Sequence, residues 1–124
     1  MRSRQLALFF SCMLSSFATS ASCDASAQSS EKEYLKSVQV VQRVPEFKSW
    51  ERSHNFKVVF GSPMDKQTML HGRCYWSVSV YADRPERLEL WREFYVDLSK
   101  NRVLVVNPAG DPVSLSRARK DKLL

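Results

Sequence analysis

Few side chains in this chain could do chemistry, and their spacing rules most of it out. Cys74 follows His71 by three positions. A thiol nucleophile needs a base within hydrogen-bond reach, whereas residues three apart on a strand project from opposite faces. His54, His71 and a single nearby Cys match no metal-ligand spacing, so neither a metal nor a cofactor is expected. Glu93 and Asp97 share a face if their segment is a strand. Alternate strand positions stand about 7 Å apart and i to i+4 about twice that, too far to share a proton. Cross-strand charge pairing is their expected use, and no enzyme activity is expected. What remains suits recognition: Tyr75, Tyr81, Trp91 and Tyr95 with Glu93 and Asp97, set among Ser77 and Ser79. Trp and Tyr supply much of the anchor energy of protein interfaces. The alternative is that these rings are ordinary cross-strand pairs shielding a sheet, or lie under the basic tail.

The elements that must carry this set follow from periodicity. From Arg73 to Ala82 the apolar Cys74, Trp76, Val78 and Val80 alternate with Tyr75, Ser77, Ser79 and Tyr81. That is the pattern of a strand packed on one face. After Asp83-Arg84-Pro85-Glu86, Leu88, Leu90, Phe94, Val96 and Leu98 alternate with Glu89, Trp91, Glu93, Tyr95 and Asp97. Arg92 among the inward residues hints at a β-bulge, which would swap which of Trp91 and Phe94 faces the core. Lys100-Asn101 turns the chain into Val103–Val106, and Asn55–Phe60, alternating Phe56, Val58 and Phe60, supplies a further strand. Gly61-Ser62-Pro63 stops it, and 64–72 reads as a loop with a short extension at Thr68–Leu70. Asn107–Pro112 is turn chemistry.

Upstream, Ser29 or Ser30 reads as an N-cap, with Glu31 and Glu33 suiting a first helical turn. Tyr34, Leu35, Val38 and Val41 then fall at helical spacing, although the β-branched Val38-Gln39-Val40-Val41 would also suit a strand. Pro45 pushes its predecessor out of the α region and is a good first residue of a second helix, where Phe47 and Trp50 share a face. A helix broken near Pro45 is therefore expected.

The first residues read as an export signal: basic Met1–Arg4, apolar Leu6–Ala18, then small residues. Residues 1–21 form the expected signal peptide, with cleavage as late as 27 if Ala25-Ser26-Ala27 is the site. The first cut leaves 17 basic against 13 acidic residues, a net charge of +4; the second also removes Asp24, for +5. It keeps Cys23 and Cys74 able to pair in an oxidising compartment, while the second leaves Cys74 alone. Lipid attachment at Cys23 is a third option, without the usual Leu three before it. The remaining basic residues are dispersed rather than clustered among aromatics, so no nucleic-acid groove is expected. No membrane-spanning helix is expected after processing.

Four domains of behaviour follow: the signal, a disordered leader at 22–30, an α+β domain at 31–112, and a fraying basic tail at 113–124. The fold expected is α+β, a broken helix laid across a four-stranded antiparallel meander whose apolar face it covers. Tyr34, Leu35, Val38, Phe47 and Trp50 are the expected helix face. This helix-then-sheet order resembles the cystatin-like fold and PepSY-type modules. The likeness rests on Tyr75–Val80, Trp91–Leu98, Lys100-Asn101 and Arg102–Val105. PepSY-type modules carry Thr-Gly where this chain has Lys100-Asn101, and the Gln-x-Val-x-Gly loop of protease-binding cystatins is absent. Two functions stand as expectations. One is a periplasmic or secreted binding protein, of inhibitor or immunity type, docking on a protein partner such as a hydrolase or protease. The other, implied by the resemblance, is a regulatory sensor holding a small ligand between helix and sheet.

Overall fold

The computed structural model describes Cys23, residues 27–61 and residues 67–124. The expected signal peptide, most of the leader, the Ser62-Pro63 stop and the loop start at Met64 lie outside the described residues. The protein is α+β: the described residues form three helices and an antiparallel sheet of six strands. α1 (Ala27–Gln42) and α2 (Pro45–Ser53) come first, followed by β1 (Lys57–Gly61), β2 (Thr68–Leu70) and β3 (Arg73–Asp83). β4 (Leu88–Asp97), β5 (Arg102–Val106), β6 (Pro112–Ser114) and α3 (Leu115–Lys120) complete the chain. The sheet order is β1-β3-β4-β5-β6, and β2 pairs with the other end of β3 from β1.

The helical segment breaks where proline demands it. Val44, held extended (φ −64°, ψ 124°), caps α2, and Pro45 takes the first turn, where no backbone N–H is missed. α1 starts at Ala27, earlier than the Ser29 or Ser30 cap expected. Its valines stay helical because the tertiary contact outweighs their β-branched preference. Val38, Val41 and Val44 are buried with Phe47 against Val78, Val80, Phe94, Val96 and Val105. Leu35, expected on this face, is instead 54% exposed. Ser37 is fully buried and satisfies its hydroxyl by donating to the Glu33 carbonyl (3.0 Å).

Turns fix the register. His71 and Gly72, both with positive φ (50° and 74°), form the two-residue link between β2 and β3 that a type I′ hairpin requires. At the β3–β4 turn, Arg84 and Arg87 exchange backbone hydrogen bonds of 3.0 and 3.3 Å. Cys23 is joined by a disulfide to Cys74, with Cα atoms 5.6 Å apart. The paired sulfur leaves no thiol at Cys23 for a lipid. The Gln67 amide, its nitrogen toward the Cys23 carbonyl (2.9 Å) and its oxygen toward Trp76 Nε1 (3.1 Å), ties the same corner to the sheet.

The last twelve residues correct the expectation of a fraying tail. β6 extends the sheet beyond β5, and α3 follows with Ala118 fully buried in the core cluster. Ser114 caps α3 by accepting from the Arg117 N–H (3.1 Å). At the other end Leu123 N–H donates to the Ala118 carbonyl (2.8 Å) and Lys122 N–H to that of Arg119 (3.2 Å), with Lys122 at φ 55°. This is the Schellman closure of a helix. Arg119 pairs with Glu46, joining α3 to α2. That hydrogen bond holds the Glu46 carboxyl below its ordinary value, against a smaller opposing effect of burial. The apolar residues of the segment needed a partner surface, and the end of the sheet supplied one. With β2 at Thr68–Leu70, β6 gives the sheet of the described residues two more strands than the four expected.

Candidate functional site

The recognition set divides between the two faces of the sheet. Tyr75, Tyr81, Glu93 and Tyr95 lie on the face away from the helices, as the alternation requires. They do not form an open aromatic surface. Tyr75 is only 3% exposed and meets Tyr95 edge-on at 6.5 Å; Ser77 and Ser79 are buried beside it. The Ser77 hydroxyl donates to Glu93 Oε1 (3.1 Å). Burial pushes the Tyr95 phenol above its ordinary value, and the neighbouring Glu93 charge adds to it. Asp97 is also buried, and its carboxylate is occupied. Oδ1 accepts from the Ser99 hydroxyl (2.6 Å), the Ser99 N–H (3.0 Å) and the Lys100 N–H (3.4 Å). Burial opposes its charge, but these bonds and nearby Arg73 outweigh it and hold the carboxyl below its ordinary value. Asp97 thus shapes the β4–β5 turn, with Asn101 at φ 48°.

Trp91 lies on the other side of the sheet. The pairing shifts between Val80 and Tyr81, so that Val80 faces Arg92 and Tyr81 faces Leu90, leaving Trp91 as the extra residue of a bulge. Both Trp91 and Arg92 therefore point toward the helices. Trp91 stacks on Trp50 (4.5 Å between centroids, 10° between planes) and touches Phe47 and Phe94. Phe94 keeps its place in the core, fully buried, so the bulge adds Trp91 to that side instead of exchanging the two rings. The same shift turns Leu90 outward opposite Tyr81. Leu88 and Leu90, both expected in the core, are 51% and 52% exposed.

This first half of β4 is the unusual part of the molecule. β4 pairs with β3 along nearly its whole length, but with β5 only from Phe94 to Asp97. From Leu88 to Glu93 its far edge has no strand beside it among the described residues. A cleft of about 390 Å³ opens along that edge, its apolar lining from Leu90, Trp91, Val106, Pro108 and Leu123 and its polar lining from Arg92, Glu93, Asn107 and Lys122. Arg92 occupies the wall. Its Nε donates to the Leu123 carbonyl (2.8 Å) and its Nη1 to the Trp91 carbonyl (2.6 Å), and its guanidinium sits 5.5 Å from the Trp91 ring centre. Partial burial pulls its pKa below the ordinary arginine value. No carboxylate among the described residues forms an ion pair with it.

Periodicity alone missed this edge, since both sequence patterns around it look complete. Arg92 interrupting an apolar alternation was the one visible signal. Among the described residues no group of His, Cys, Asp and Glu is arranged to hold a metal, and no helix is long and apolar enough to cross a membrane. No protein-family model, curated protein or solved structure matches the chain.

Proposed function

We infer that this is an exported, non-catalytic binding protein of cystatin-like build, which docks on a protein partner in the periplasm or outside the cell through the open end of its sheet. The observation that carries this reading is the pairing of exposed Leu88 and Leu90 with a strand edge left unfilled. Exposed apolar side chains on an unpaired edge invite another chain, and stable proteins ordinarily cover or charge such edges. The disulfide suits an oxidising compartment, in keeping with the signal-like start. A hydrolase or protease fits as the partner of an inhibitor or immunity-type protein. The sensor reading needs space between helices and sheet. There Val41, Val78, Val80, Phe94 and Val96 are fully buried in one packed cluster, which favours docking over ligand storage.

The test compares cross-linked partners recovered from envelope extract by the wild type and by a Leu88→Lys/Leu90→Lys double variant. Both positions are surface-exposed, so the variant should fold normally. A partner recovered by the wild type and lost with the variant supports the reading; equal recovery removes the sheet-edge surface.

A further inference from the structure

We propose that the open β4 edge takes up an extended C-terminal segment of a protein partner as an added strand, with the segment's terminal carboxylate held at Arg92. This rests on the docking function above and names the partner element it recognises.

Geometry sets the length and direction of the added strand. Leu88–Glu93 offers six residues of edge, about 20 Å at the usual strand rise. At the Glu93 end the path is closed, because β5 begins pairing at Phe94 and Asn107, Pro108, Lys122 and Leu123 wall the cleft. At the Leu88 end it is open. A strand antiparallel to β4 would bring its amino terminus to the closed end, and a parallel one its carboxylate. Two cations stand there, Arg92 and Lys122. An incoming ammonium would be repelled, whereas a carboxylate would find both charges and unused guanidinium donors. Arg92 has five N–H donors, and two are spent on backbone carbonyls. Glu93 also lines the cleft, but it belongs to the opposite face of the sheet from Arg92, where its carboxylate accepts the Ser77 hydroxyl.

The arginine is also pre-set. Its Nε is fixed by the Leu123 carbonyl, which the Schellman closure of α3 presents, and Trp91 supports it from the bulge. Charge-assisted bonds to a guanidinium held in this way are strong and directional. Along the rest of the edge, alternate side chains of the added strand would lie beside Leu88 and Leu90, so apolar residues are preferred at every second position. The class recognised is thus a protein C-terminus with alternating apolar residues. A second copy of this chain fits less well. Antiparallel self-pairing would drive its Arg84–Arg87 turn into the closed end of the cleft.

The probe is a library of random heptapeptides displayed with free C-termini, selected on the disulfide-intact protein. The best sequence is then synthesised as the free acid and as the C-terminal amide. Binding is read from the fluorescence of the Trp50–Trp91 stack. The expected result is selection of alternating apolar termini, with the acid bound about tenfold or more tighter than the amide. Arg92→Ala should abolish that difference and Arg92→Lys restore part of it. Lys122→Ala, which leaves both Arg92 backbone bonds in place, should reduce it. No selected terminus, an amide that binds as tightly as the acid, or an acid preference that survives Arg92→Ala and Lys122→Ala would overturn the proposal. So would sedimentation showing a dimer that Leu90→Lys dissolves. A partner captured through Leu88 and Leu90 that still binds after its own C-terminus is extended would leave the docking function standing and remove the carboxylate site.

Discussion

The two halves of β4 are one strand under two regimes. From Phe94 to Asp97 it is flanked by β3 and β5, and Phe94 and Val96 are fully buried. From Leu88 to Arg92 it has β3 alone among the described residues, and its two leucines stand half in water. The bulge at Trp91 separates the regimes by turning the alternation over. One extra residue thus converts what would have been core leucines into surface and brings a tryptophan to the helix side, beside the arginine that the alternation already places there. Burial on this strand is set by its neighbours, and the composition of the two halves does little to distinguish them.

Truncation at the two ends should break the symmetry most visibly. Phe94→Ala is expected to lower stability by about 3–5 kcal/mol, while Leu90→Ala should change it by about 0.5 kcal/mol or less. Denaturant midpoints of the two variants measure the contrast, and equal losses would mean that the open half is covered. Next in size is the disulfide. It links residues 51 apart and anchors the end of β3 remote from the open edge. Replacing both cysteines by serine should lose about 2–4 kcal/mol, without altering binding at Leu88 and Leu90. Loss of binding along with stability would show that the two ends are not independent.

A smaller effect distinguishes the β4–β5 turn from the solvated charges of the open half. The Asp97 carboxyl is held below its ordinary value, so its contribution is full above about pH 4 and is lost as pH falls through the depressed folded value. Asp97→Asn should therefore flatten the acid limb of the stability profile and lose about 1 kcal/mol at neutral pH. Glu89, in the open half, has an exposed pairing with Arg84, and Glu89→Gln should change stability by less than about 1 kcal/mol at neutral pH.

The paired half of the molecule was largely legible in the sequence. The Val78/Val80 alternation, the break at Pro45 and the turn at Lys100-Asn101 each carry a local steric signal that the fold obeys. The open half was not, because alternation cannot register one inserted residue: Trp91 and Arg92 fit either face until the pairing with Val80 and Tyr81 is known. The closing wall was hidden for another reason. Leu115, Ala118 and Leu123 are too few and too scattered among basic residues to announce a helix, and only contact with the sheet makes α3 worth forming. Of the recognition set, Tyr81, Glu93 and Tyr95 keep partial exposure on one face, whereas Tyr75 and Asp97 are committed to the fold.

Amide hydrogen exchange along β4, residue by residue in the isolated protein, tests the open edge most directly. Continuous protection is expected from Phe94 to Asp97, and an alternation of slow and fast amides from Leu88 to Arg92, the fast ones closing when the free-acid peptide is added. Uniformly slow exchange through Leu88–Arg92 in the protein alone would contradict it, for that edge would already be filled.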